Sequence, residues 1–293
     1  MTHRRAVWLT VLAALMWSMA GVVTRQLEDA RSFELTFWRS AFNVLALLPL
    51  LAWLRGPAGL RDILLRGGPA LWLSGLCWAV MFTAFMVALT LTTVAHVLVT
   101  MALGPLLTAL GARLLLGDRQ PVRTWVAIAL AGVGIAWMYG HALRTGDARQ
   151  WLGTAVALSV PIASAANWTL LQHLKGQREA PDMLGAVLIG GLLSAAVALP
   201  LAWPLSASLH DLSLLAVLGT FQLAIPCLMA VAAARVLSAP EMALLGLLEV
   251  VFGVLWAWLG AGEQPSLPVL GGGLLVLLAL AGNAGLALRG GRS

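Results

Sequence analysis

Apolar residues in this chain run in stretches of about twenty, separated by short gaps that hold most of its charges, prolines and glycines. A helix that crosses the roughly 30 Å of a bilayer's hydrocarbon needs about 20 such residues. Cutting at the gaps predicts ten helices, near 6–24, 35–54, 69–90, 93–116, 122–140, 151–171, 183–203, 212–233, 238–260 and 268–288. The third cut rests on little, because residues 69–112 carry no charged side chain and only Thr90-Leu91-Thr92-Thr93 interrupts them. A single helix of that length would be about twice what a bilayer holds, so a tight hairpin is predicted there. The first stretch follows Arg4 and Arg5 as a signal peptide would, but its apolar run is longer and no clear cleavage site follows. It is read as a mature helix.

Composition leaves no soluble alternative. The 293 residues are 60% hydrophobic and 10% charged, with a mean hydropathy of +0.91, against roughly 25% charged residues in soluble domains. The predicted fold class is an all-α polytopic membrane protein, and the short gaps leave no room for a soluble domain. A pI near 10.9 raises nucleic acid as a partner, yet the basic residues are scattered in ones to threes with no basic helix, so nucleic acid is excluded. Cys77 and Cys227 both fall in apolar runs and read as small buried residues rather than a disulfide.

Lys and Arg concentrate on the cytoplasmic side of membrane helices. A cytoplasmic N-terminus puts Arg4, Arg5, Arg55, Arg61, Arg66, Arg113, Arg119, Arg123, Lys175, Arg178, Arg235, Arg289 and Arg292 inside, and Arg25, Arg31, Arg39, Arg144 and Arg149 outside. This bias predicts an even number of spans with both termini cytoplasmic, in a cell inner membrane. The chain also repeats itself. Thr93-Val94-Ala95-His96 through Pro105, Gly111 and Leu116-Gly117-Asp118 aligns without a gap, 145 residues on, with Ser238-Ala239-Pro240-Glu241 through Val250 and Gly260-Ala261-Gly262-Glu263. Leu48-Pro49-Leu50-Leu51-Ala52-Trp53 is echoed by Leu199-Pro200-Leu201-Ala202-Trp203. Two copies are predicted, 1–145 and 146–293, and five spans each would set them upside down relative to one another. Inverted repeats are common in secondary transporters, where exchange of conformation between halves turns an outward-open cavity into an inward-open one. Architecture by itself does not fix function.

Each half carries the pattern "A, a few residues, [ST]xA, apolar run, Pro or Glu-Pro, small residues, L-G-[ED]": Ala88, Thr93, Ala95, Pro105, Gly117 and Asp118, then Ala233, Ser238, Pro240, Glu249 and Glu263. On these residues the chain resembles the EamA-type transporters of the drug/metabolite transporter superfamily over essentially its whole length. In length and helix pattern it is similar to amino-acid exporters of the YddG type. Arg39, in Phe37-Trp38-Arg39, resembles an arginine that the family places early in its second helix. Val250 stands where the second copy commonly has Pro, Pro240 replaces Ala and Asp118 replaces Glu. The resemblance implies ten helices, both termini cytoplasmic, and a central cavity lined mainly by helices 1, 3, 4, 6, 8 and 9.

A charge at mid-bilayer costs about 2.5–3.5 kcal/mol on insertion scales, which makes every intramembrane ionisable residue a functional candidate. Glu249, mid-way along the ninth span, is open to three readings: protonated, paired, or exchanging a proton during transport. Its simpler role is a neutral carboxyl bonded to another helix. Arg39 lies about a turn from the outer interface, where snorkelling would suffice. His96 could bind a carboxylate or merely be wetted. The amides Asn43, Asn167, Gln222 and Asn283 suit helix-to-helix glue, with Asn43 and Gln222 also candidates for substrate binding. Ten tryptophans fall toward span ends as an interfacial belt: Trp8, Trp38, Trp53, Trp72, Trp125, Trp137, Trp151, Trp203, Trp256 and Trp258. Trp17, Trp78 and Trp168 sit deeper and could line a cavity, although core packing serves each ring equally well; together they would also favour an ammonium. Met101, with Met81 and Met86, would lend such a pocket adaptability. Pro105, Pro161 and Pro226 interrupt spans four, six and eight as kinks or hinges. The small-residue rows Gly104/Thr108/Ala112 and Gly253/Ala257/Ala261 suggest a paired scaffold.

The expected function is a secondary transporter exporting small metabolites, amino acids with neutral or aromatic side chains first among them, by alternating access. The alternatives are an exporter of cationic compounds with the same fold and a non-transporting membrane scaffold. An enzyme is not expected, because the sequence holds no H-E-x-x-H, G-x-S-x-G or paired intramembrane Asp. No cofactor or metal is expected. The expected partners are a small-molecule substrate and the lipid bilayer, around a monomer.

Overall fold

The computed structural model describes residues 1–24, 26–29, 32–92, 94–140, 148–175, 177, 182–261 and 266–290. Arg25, Arg31, Thr93, Arg144, Arg178, Gly262, Glu263, Arg292 and the boundary at 145/146 lie outside the described residues. The chain forms α1 (His3–Trp17), α2 (Ala20–Thr24), α3 (Ser32–Arg66), α4 (Gly68–Leu91), α5 (Val94–Met101), α6 (Gly104–Leu116) and α7 (Val122–Tyr139). It continues through α8 (Ala148–Leu174), α9 (Leu184–Ala202), α10 (Leu209–Val217), α11 (Ile225–Ala234), α12 (Ala239–Gly246), α13 (Leu248–Ala261) and α14 (Leu267–Gly290). A π-helical stretch, Leu218–Ala224, joins α10 to α11. Among the described residues nine helical stretches are long and apolar enough to cross a membrane, and Val122–Met138 is a shorter apolar helix. At 1.5 Å per residue that tenth stretch spans about 25 Å. The protein is an all-α, multi-pass membrane protein.

The second span departs from expectation. Its helix was expected to end near 54, yet helical structure resumes and continues to Arg66. Gly56 takes a φ of 72°, a left-handed conformation that suits glycine because it lacks a Cβ. Past it, Pro57 begins a second helical arm that carries an Arg66–Asp62 ion pair of 3.4 Å one turn apart. The hairpin predicted between the third and fourth spans matches the end of α4 at Leu91 and the start of α5 at Val94.

Three of the expected spans are interrupted. The first is broken at Ser18–Met19, the fourth at Ala102–Leu103 and the ninth at Leu247. Each break is a single tighter turn: the N–H of Leu103 bonds Thr100 O at 3.1 Å, that of Leu247 bonds Leu244 O at 3.1 Å and that of Met19 bonds Met16 O at 3.3 Å. α5 ends at Met101 and α12 at Gly246, which is the 145-residue register of the sequence repeat. Pro105 sits in the first turn of the helix that follows the fourth-span interruption, where its missing N–H costs nothing, and Pro226 sits in the first turn of α11, where the π-helical stretch passes into α-helix. Pro161 lies inside α8, which runs on from Ala148 to Leu174.

Long contacts join α3 to α9, α4 to both α8 and α9, and α7 to α14. The last pair lies close because Gly134 and Gly272 face each other; a Cβ on either would meet the other's carbonyl. One large core, with Trp78, Phe82, Trp168, Leu188 and Cys227, fills the space between α3, α4, α8, α9 and α11. Seven of the ten tryptophans assigned to an interfacial belt are well exposed: Trp8, Trp53, Trp72, Trp137, Trp151, Trp203 and Trp258. The other three are packed into protein instead. Trp38 donates to Glu34 at 3.4 Å, Trp256 donates to Leu15 O at 3.4 Å, and Trp125 packs on the α7–α14 core.

Candidate functional site

A cavity of about 140 Å³ lies where the breaks in α5/α6 and α12/α13 face α1, α3, α4, α8 and α11. Trp17, Trp78, Trp168, Met81 and Met101 line it, as do Gln222, Arg39, Glu249, Pro105 and Pro161. Helical spacing explains one wall, since Trp78, Phe82 and Phe85 stand four and three residues apart and share a face of α4. Trp78 meets Trp168 edge-on at 5.8 Å between centroids and Phe82 at 5.5 Å. Phe82, Phe85, Ser164 and Cys227 were not singled out from the sequence, although the period of α4 would have found the two phenylalanines once Trp78 was placed.

Other candidates lie elsewhere. Asn43 is fully buried against Gly191 at the α3–α9 contact. Asn167 accepts from Ser74 Oγ at 2.6 Å and so joins α8 to α4. Asn283 accepts from Thr124 Oγ1 at 3.4 Å between α14 and α7. His96 is buried, 6% exposed, rather than wetted, and neither it nor Met86 nor Pro226 is among the cavity's lining residues. Arg39 does not snorkel. It is 2% exposed and donates through a terminal guanidinium nitrogen to the Phe82 carbonyl at 2.8 Å, a bond that turns the side chain toward α4 rather than toward the interface; the π-helical stretch packs on its backbone, with Gly219 against the Arg39 carbonyl.

The two ends of the cavity differ. At the end bearing the N-terminus, α12 packs on both α6 and α8. Gln172 bridges there, donating to Asp118 Oδ2 at 2.8 Å and accepting the Ala239 N–H at 2.6 Å. Ser238 caps α12 in a capping box with Glu241, whose carboxylate also reaches His3 Nε2 at 3.1 Å. At the other end, among the described residues, α5 and α13 do not pack together. What holds that end is a separate set of contacts: buried Glu34 accepts from the Ser206 and Ala207 N–H groups at 2.8 and 2.7 Å, and buried Asp211 accepts from those of Glu28 and Asp29 at 2.9 Å each. Gln172, Glu34 and Asp211 were missed because each sits at a span end, where a polar residue reads as ordinary interface. A wider vestibule, about 820 Å³, opens at the N-terminal end between the α3–α4 turn and α8, α9 and α11. The Ser74–Asn167 bond and the Trp78–Trp168 contact lie between it and the cavity.

Residues 4–140 match the EamA-like transporter family. The N-terminal part of the chain is thus similar to a family of membrane transporters, which are not enzymes. A solved crystal structure, titled only as that of a protein, aligns with 98% of this chain and 99% of its own at a TM-score of 0.80 and 17% identity. At that identity the likeness carries the fold alone, but over both halves. No curated protein matches the sequence.

Proposed function

We propose that the protein is a secondary transporter which moves small amphipathic metabolites, neutral amino acids foremost, by alternating access between two inverted repeats, 1–145 and 146–293. The observation that carries this reading is the register of the cavity wall. Trp78 and Leu223, Phe82 and Cys227, Met101 and Gly246, Gly104 and Glu249, and Pro105 and Val250 each stand 145 residues apart, and all ten line the same cavity. Two halves of one repeat thus contribute matching positions to a shared hollow, at matching interruptions of two membrane helices. Interrupted helices around a mid-membrane site are a recurring transporter device. With the basic-rich end cytoplasmic, both termini face the cytoplasm of an inner membrane, the Gln172 bridge closes the inner side, and the cavity opens outward. The direction is export and the unit a monomer.

The walls suit an apolar body. Three indoles and two phenylalanines surround a volume close to the roughly 150 Å³ that holds a benzene in a dry protein cavity. The test is flux of a neutral amino acid panel into proteoliposomes. Trp17→Ala or Trp78→Ala is expected to lower flux severalfold with the protein still monodisperse. Unchanged flux in both variants would overturn the assignment of the cavity as the binding site. An exporter of organic cations is the second reading, favoured by Glu249 among the indole faces.

A further inference from the structure

Among the described residues, nothing satisfies several polar atoms of the cavity. Arg39 Nε and Trp78 Nε1 are buried donors without a partner, and Gln222 Oε1 is a buried acceptor without one. Leaving such a group unpaired costs about 1–3 kcal/mol, so three around one small hollow call for a ligand. Gln222 is fixed by its other end, donating to Trp17 O at 3.2 Å. Glu249 is partly exposed at the cavity. Among the described residues neither Glu249 nor Arg39 forms an ion pair within 4.0 Å.

The cavity's polar groups are sorted by sign. Both unpaired donors come from the N-terminal half, on α3 and α4; the unpaired Gln222 oxygen and the Glu249 carboxylate come from the C-terminal half, on the π-helical stretch and α13. Resting on the transport reading above, we infer that this cavity selects a zwitterion: an α-carboxylate held by Arg39 and Trp78, an ammonium held by Glu249 and Gln222, and an apolar side chain against Phe82, Phe85 and Trp168. The ligand brings two charges that cancel, so each protein charge at the cavity gains a counter-charge. An amine without a carboxylate leaves Arg39 and Trp78 unpaired. A carboxylate without an amine leaves Glu249 and Gln222 so. Sites built to pair with a polar group discriminate strongly against analogues that lack it. The ligand also ties one half of the protein to the other, as a substrate that triggers alternation must.

The test compares leucine with 3-methylbutylamine and 4-methylpentanoate, which keep its side chain and one charge each. Quenching of intrinsic tryptophan fluorescence in purified full-length protein reads binding, and proteoliposome flux reads transport. Wild type is expected to prefer leucine at least tenfold over both analogues. Glu249→Gln is expected to remove the preference over the carboxylate while keeping that over the amine, and Arg39→Gln the reverse. Should Arg39→Gln fail to fold, Arg39→Lys, which keeps the charge, is expected to retain both preferences, and the Glu249→Gln arm decides. The inference is overturned if wild type takes either analogue as well as leucine, or if Glu249→Gln lowers all three equally. An amine bound and moved as well as leucine would leave transport standing and remove only the zwitterion clamp. Failure of all three to bind or move would remove both.

Discussion

The two interrupted helix pairs, α5/α6 and α12/α13, begin from related sequence and break in the same register, yet they are packed differently. Along α6, Thr108 and Ala112 are fully buried and Gly104 approaches Pro161 of α8. Along α13, a Cβ on Gly253 would meet nothing within 4 Å. The small-residue rows expected to form a paired scaffold are thus a helix contact in one copy, while Gly253 in the other copy faces open space. Ala257 and Ala261 lie in a part of α13 whose side chains are outside the described residues. Related sequence does not impose equal environment: α6 and α12 pack together at one end of the cavity, whereas among the described residues α5 and α13 do not at the other. That difference is what an alternating transporter caught in one of its states would show.

The sharpest way to break the comparison is to add bulk at both places. Ala112→Leu forces methyl groups into the packed α6–α8 contact and is expected to lose about 1–3 kcal/mol or more. Gly253→Leu is expected to stay within about 0.5 kcal/mol. Thermal unfolding in detergent checks both, and equal losses would mean that the α13 face is packed after all. A comparable loss of about 1–3 kcal/mol is expected for Gly219→Ala, because the new Cβ would lie 2.6 Å from the Arg39 carbonyl and 2.8 Å from the Asn43 N–H nitrogen, and backbone cannot rotate away as a side chain can.

Removing the bridge that closes one end comes next. Gln172→Ala leaves the Ala239 N–H without its acceptor and Asp118 with Gln120 in place of two donors, a loss of about 1–3 kcal/mol. Since the lost contacts belong to the closed arrangement, a cysteine placed at Thr108, with Cys77 and the cavity-lining Cys227 replaced by alanine, is expected to react faster with a soluble maleimide in this background than alone. An unchanged labelling rate would show that the bridge does not hold the seal. The smallest effect is expected for His3→Ala. The His3–Glu241 contact is between partly exposed side chains and is worth under about 1 kcal/mol, so the melting temperature should barely move.

Much of the frame was legible in the sequence, for a physical reason. Lipid admits only long apolar helices with their backbone bonds closed, so runs of about twenty apolar residues announce the spans whatever packs around them. Trp17, Trp78, Trp168, Met101 and Gln222 could be nominated because deep polar and aromatic residues are rare in such runs. Which of the nominees meet was not legible. Asn43 and Gln222 are both amides in mid-span, and only packing sends one to a helix contact and the other to the cavity. Arg39 read as a snorkelling residue because depth along a helix says nothing about which way its side chain turns or what covers it.

The sequence by itself determined the membrane class, the span positions, the 145-residue register and the residue types available at mid-depth, since these depend on local hydrophobicity and spacing. Only the tertiary structure decided that donors stand on one wall and acceptors on the other, and that α6 and α12 pack at one end while, among the described residues, α5 and α13 do not at the other. Those depend on contacts between residues more than a hundred positions apart, whose geometry no local pattern encodes.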